Sequence, residues 1–89
     1  MREQHGKRIQ MTFKSLKGEC YWGHKVGDQC EVSMHETGGI CGALYASIYT
    51  KLHMLQFGGK YPWQPDGGVT GGECPDPYNR VEVELRTID

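Results

Sequence analysis

From Arg8 to Lys14 hydrophobic and polar residues alternate: Ile9, Met11 and Phe13 fall on one side, Gln10, Thr12 and Lys14 on the other. A period of two is the mark of a strand with one buried face, and it predicts a half-buried β-strand. Leu16 breaks the alternation, which predicts a bulge or the end of the strand near Ser15. The pattern returns twice. Cys30, Val32 and Met34 alternate with Gln29, Glu31 and Ser33, and Val81, Val83 and Leu85 alternate with Glu82, Glu84 and Arg86. A further short strand fits Val69 and Thr70, between glycine-rich turns.

Over residues 39–59 the period changes. Cys41, Leu44, Tyr45, Ile48, Leu52 and Leu55 recur at the spacing of one apolar helical face, with the cysteine in the first turn. Gly38 and Gly39 break the chain before this segment, and Gly58 and Gly59 supply a C-cap after it. Pro62 and Pro65 then rule out helix, because each removes a donor and restricts its predecessor. Together these elements predict an α+β fold, an antiparallel sheet of three to four strands with one main helix packed across it.

At 89 residues the chain has room for one small domain, spanning residues 1–89, with the polar residues 1–7 expected to be disordered. A chain of this size buries roughly 60–65% of the surface that its unfolded form exposes. A metal, a disulfide or a partner subunit would therefore add useful stability, and a homo-oligomer fits that need. Ten Lys and Arg balance eleven Asp and Glu, so no general attraction to nucleic acid or an anionic membrane follows. No apolar run approaches the ~18 residues of a membrane span, and the N-terminal residues contain no signal-peptide core. The expectation is a cytoplasmic protein with neither a nucleic acid nor a membrane as partner.

Candidate chemistry centres on four cysteines. Cys20 and His24 lie four apart in a glycine-containing loop, Cys41 opens the helix, and Cys74 precedes the last strand. Three thiolates and an imidazole suit a tetrahedral transition-metal site, zinc or iron first, that would tie three segments together. The spacing equally fits cysteines that are small apolar side chains in a core. Cys41 carries a second expectation. A helix N-terminus lowers a thiol pKa, so Cys41 with His24 as base is the minimal kit of a thiol enzyme. Its place in the apolar stripe predicts instead that it faces the sheet. The alternative to the metal site, ahead of the thiol enzyme, is a non-catalytic module that receives a small ligand or a partner protein and leaves the cysteines buried. Trp22, Tyr61 and Trp63, with Tyr45 and Tyr49, are its candidate lining.

Cys30 reads as a core residue, His35 and His53 as surface residues, and Asp28 and Asp76 as turn-stabilising side chains. Residues 67–72 superficially match a phosphate-binding loop. They lack its lysine, and no helix follows them.

The motif order G-E-C-x3-H-K-V-G-D at 18–28, G-x-C-G at 39–42, F-G-G-K-Y-P-W at 57–63 and C-P-D-P at 74–77, then a V-x-V-E-L strand, resembles a family of small uncharacterised prokaryotic proteins. These are of roughly this size and frequent in anaerobic bacteria and archaea. The resemblance covers residues 9–88. It implies that Cys20, Gly23, His24, Gly27, Asp28, Cys41, Gly59, Pro62, Trp63, Cys74 and Asp76 are the family-pattern positions, while Cys30 and His35 lie outside the pattern. It implies no activity, and it draws Cys20, His24, Cys41 and Cys74 together as one group of interest.

Overall fold

A computed structural model describes residues 6–19, 22–63, 68–76 and 78–88. The elements are β1 (Ile9–Ser15), β2 (Gln29–Val32), α1 (Gly42–Gln56), β3 (Val69–Glu73) and β4 (Glu82–Thr87). They form an α+β fold in which one four-stranded sheet, ordered β2-β1-β4-β3, carries the helix on one face. Every neighbouring pair is antiparallel, and the strand order puts the first and last strands at the centre, joined from Ile9 opposite Thr87 to Ser15 opposite Glu82. The register shifts between Phe13 and Ser15, which is the expected bulge, and Leu16 beyond it packs against the core.

The strands bury the residues that their alternation marks. Ile9, Met11, Phe13, Val32, Val83 and Leu85 are all in the core. Cys30 lies opposite Met11 and packs at the core's edge. Met34 falls beyond the end of β2, where Ser33 and Glu36 exchange backbone hydrogen bonds in a turn. The strand expected at Val69 and Thr70 continues to Glu73.

The helix begins at Gly42, later than the periodicity alone suggests. Gly38 and Gly39 have φ of 70° and 78°, a left-handed conformation that excludes both from the helix. Cys41 is consequently the N-cap and not a first-turn residue. Its φ and ψ of −56° and 133° are extended, and its carbonyl accepts the amide hydrogen of Tyr45 at 3.0 Å. At the other end the Gly59 N–H donates to the Met54 carbonyl and the Gly58 N–H to that of Leu55, a Schellman closure with Gly58 at φ 86°.

Leu44, Ile48, Leu52 and Leu55 are buried on the sheet. Burying one such side chain stabilises by about 1.5–3 kcal/mol. The helix approaches β3 closely because Gly72 has no side chain: a Cβ there would sit 2.7 Å from Ile48 Cγ2. Two helical side chains then cover the outer edge of β3. Lys51 Nζ donates to the Gly71 carbonyl at 2.8 Å and Ser47 Oγ to the Glu73 carbonyl at 2.6 Å. An open strand edge is a template for unwanted pairing, and these contacts occupy its acceptors.

Gln56, an unexpected buried polar residue, joins three segments. Its Oε1 accepts the Met34 N–H at 2.9 Å, and its carbonyl accepts the Lys7 N–H at 2.7 Å. Lys7, at the end of the tail expected to be disordered, is thereby held; residues 1–5 lie outside the described residues. Among the described residues, no helix is long and apolar enough to cross a membrane.

Gly72→Ala is expected to lower unfolding stability by about 1–3 kcal/mol through overpacking against Ile48. Urea denaturation measures it, and the cost of Gly72→Ala is expected to be smaller when measured in an Ile48→Ala background, where the crowding atom is absent.

Candidate functional site

Three segments meet where α1 begins: the loop after β1, the turn leading into the helix, and the connection from β3 to β4. Between them lies a cleft of about 320 Å³ lined chiefly by Trp22, Cys41, Leu44, Cys74, Pro75 and Val81, with Asp76 beside them. Cys41 comes to this wall as the helix N-cap. Cys74 arrives on the residue after β3, where its N–H donates to the Val81 carbonyl at 2.9 Å and holds the start of the connection closed. Both thiols are free and half-buried.

Side-chain hydrogen bonds fix the loops in place. Trp22 Nε1 donates to the Gly39 carbonyl at 2.9 Å, which pins the indole to the turn before the helix. The Asp76 carboxylate accepts the Tyr78 N–H at 2.9 Å and Asn79 Nδ2–H at 2.7 Å, with the Asn79 N–H at 3.4 Å. The Asn79 side chain, and then its backbone N–H after that of Tyr78, stabilise the charged form. They hold the carboxyl below its ordinary value of 3.8. Asn79 extends the network to the segment after β1. Its carbonyl accepts the N–H groups of Lys17 at 2.7 Å and Gly18 at 3.1 Å, and its Oδ1 that of Glu19 at 3.1 Å. Asn79 is the residue that sequence reasoning missed. The signal was present, because an Asp three residues before an Asn in Asp-Pro-Tyr-Asn is the composition of an Asx turn.

The expected ligand set is thus divided. Cys41 and Cys74 share the cleft, and Cys20 lies outside the described residues. His24 does not line the cleft. Its imidazole stacks on Phe13 with ring centroids 4.2 Å apart and planes at 26°, and its Nε2 is buried without a hydrogen-bond partner. The Cys41–His24 pairing that a thiol enzyme would use is not formed at the cleft. Among the described residues, no three His, Cys, Asp or Glu side chains are grouped to hold a metal ion.

The remaining candidates fall where local chemistry puts them. Asp28 closes a turn, its carboxylate accepting the Lys25 N–H at 2.9 Å. Burial, and secondarily the Asp28 charge, push the Cys30 thiol pKa up. His35 and His53 are exposed. The five candidate aromatics do not form one pocket. Trp22 lines the cleft, Tyr61 stacks on Trp63 elsewhere, and Tyr45 and Tyr49 form a ladder along α1 with His53 and Phe57. Tyr45 is anchored by donating its hydroxyl to the Ser33 carbonyl at 2.6 Å.

The lowered pKa gives Asp76 a defined pH signature. Its stabilisation is fully present above the ordinary value of 3.8 and is lost as pH falls through the lower folded value. Asp76→Asn is expected to destabilise at neutral pH, with the deficit relative to wild type shrinking as pH falls below that ordinary value. Urea midpoints of both proteins across the acid range measure this.

No family model, no curated protein and no solved structure matches this chain.

Proposed function

We propose that the chain binds a transition metal ion, zinc or iron first, with Cys41 and Cys74 as thiolate ligands in the cleft at the start of α1. The observation that carries this reading is the presence of both cysteines, from segments far apart in sequence, in the wall of one small cleft. The third ligand in the proposal is Cys20. The described residues on either side of it, Glu19 and Trp22, are both fastened here, one to Asn79 and the other to Gly39.

The chemistry is self-consistent. Thiolate sulfur is a favourable ligand for zinc and iron. The unpaired N–H groups of a helix N-terminus favour negative charge beside them. His24, on the same loop as Trp22, has a buried Nε2 with no hydrogen-bond partner and is the fourth ligand in the proposal. Four ligands make a closed, structural centre; three leave a position for a substrate.

A second reading is favoured by the character of the cleft. Its volume falls at the lower end of the range typical of small-molecule sites, and its walls are largely apolar. A small apolar ligand seated between Trp22, Leu44 and Val81 would need no metal.

Elemental analysis of protein expressed without a histidine tag tests the first reading. About one equivalent of metal is expected in wild type, with Cys41→Ser and Cys74→Ser each losing most of it. Less than about a tenth of an equivalent of any transition metal in wild type would remove the metal reading. A thermal-shift screen of the metal-free protein against apolar metabolites addresses the second reading, which requires a hit that Ala43→Trp, at an exposed position of the cleft wall, abolishes.

A further inference from the structure

We propose that the outer face of the sheet beside β3 is a binding groove for a neutral oligosaccharide, with Trp63 as its stacking platform. The groove is open, encloses about 650 Å³, and is lined by Trp63, Gly71, Glu73, Glu82, Lys14 and Lys51, among others. The groove and the thiol cleft share no lining residue.

Trp63 is 74% exposed although it is the largest apolar side chain in its segment. Its ring is nevertheless held. Tyr61 stacks parallel to it at 4.7 Å with planes 6° apart, so a flat and oriented aromatic surface stands at the side of the groove. Single exposed aromatics are common on protein surfaces. Gly71, on the groove floor, makes this one informative.

Gly71 has no role in the fold that requires glycine. Its φ is not in the left-handed range, and a Cβ there would meet only the Val83 carbonyl oxygen, at an ordinary 3.8 Å. Gly72 next to it differs, because Ile48 occupies the space of its missing side chain. A glycine inside a strand weakens it, and one at which the register is unbroken and nothing packs leaves room for a ligand to approach the backbone. The bare strand at Gly71 keeps the groove floor clear beside the indole.

Charge narrows the class of ligand. Three carboxylates, Glu73, Glu82 and Glu84, stand against the ammonium groups of Lys14 and Lys51. Glu84 is engaged by Arg86 at 3.0 Å and by Lys14 at 3.8 Å, and Lys51 by the Gly71 carbonyl. The near balance gives no strong field to select an ion. It leaves a dense array of acceptors and donors, with the Glu73 and Glu82 carboxylates on residues directly opposite each other across β3 and β4. Like charges opposed in this way repel, and hydroxyl donors between them relieve that repulsion. A pyranose offers the matching surfaces: a C–H face for the indole, and a rim of hydroxyls that both donate and accept. The open shape suits a length of saccharide chain better than an enclosed monosaccharide.

Native affinity electrophoresis in gels containing soluble starch, hydroxyethyl cellulose or galactomannan tests the proposal. At least one of these is expected to retard the wild-type protein. Trp63→Ala should weaken that retardation by roughly tenfold. Gly71→Leu, whose Cβ would meet only the Val83 carbonyl oxygen at 3.8 Å, should fill the floor and remove it while the far-UV circular dichroism spectrum stays unchanged. Trp22→Ala, in the thiol cleft, should be retarded as wild type is. Absence of retardation of the wild type by all three polysaccharides would overturn the proposal, as would equal retardation of wild type and both groove variants.

Discussion

The apolar stripe of α1 lying directly on β3 and β4, with Ile48 in the space left by Gly72, is the contact on which the rest of this small domain depends. It brings the helix close enough for Ser47 and Lys51 to reach the β3 carbonyls, so one approach both seals the core and covers a strand edge. It also fixes the position of the helix N-terminus. Because Leu44 is buried in the core, Cys41 one turn earlier must emerge at the margin of the sheet, beside the residue that follows β3.

That margin is built from loops, and loops need their own means of order. Here each is fastened by a polar side chain to a backbone group of another segment: Trp22 to Gly39, Asn79 to Glu19, Tyr45 to Ser33 and Gln56 to Met34. Each bond satisfies a main-chain group that the sheet and helix leave unpaired. Such cross-links suit a domain whose apolar core is small, because they limit loop motion without further burial. One of them, from Trp22 to Gly39, holds a wall of the thiol cleft, whose other walls come from the core stripe and the segment after β3.

The two proposed sites use opposite properties of the same framework. The thiol cleft lies at the core's margin, where two cysteines and apolar walls suit the proposed metal or an apolar guest. The groove by β3 lies on the polar outer face, where water competes for every hydrogen bond and an exposed indole supplies the apolar contact. Gly71 and Gly72, adjacent in sequence, serve one site each: Gly72 admits the helix that positions Cys41, and Gly71 leaves the outer groove open.

Local sequence determined the elements of this protein. The alternation at Ile9, Met11 and Phe13, its failure at Leu16, the stripe from Leu44 to Leu55 and the glycine pair closing the helix all appear where their spacing puts them. Each is a property of neighbours along the chain, where periodicity reports directly which side is buried. Cys41 as N-cap was less legible, since periodicity continues through a position that left-handed glycines exclude from the helix. Tertiary structure alone decided that the terminal strands pair at the centre, that Cys41 and Cys74 share a wall while His24 lies on Phe13, and that adjacent glycines have different neighbours. A hydrophobic pattern states that a residue is covered but not by what. The covering partner is chosen by packing among segments distant in sequence, and that choice exists only once the chain has closed on itself.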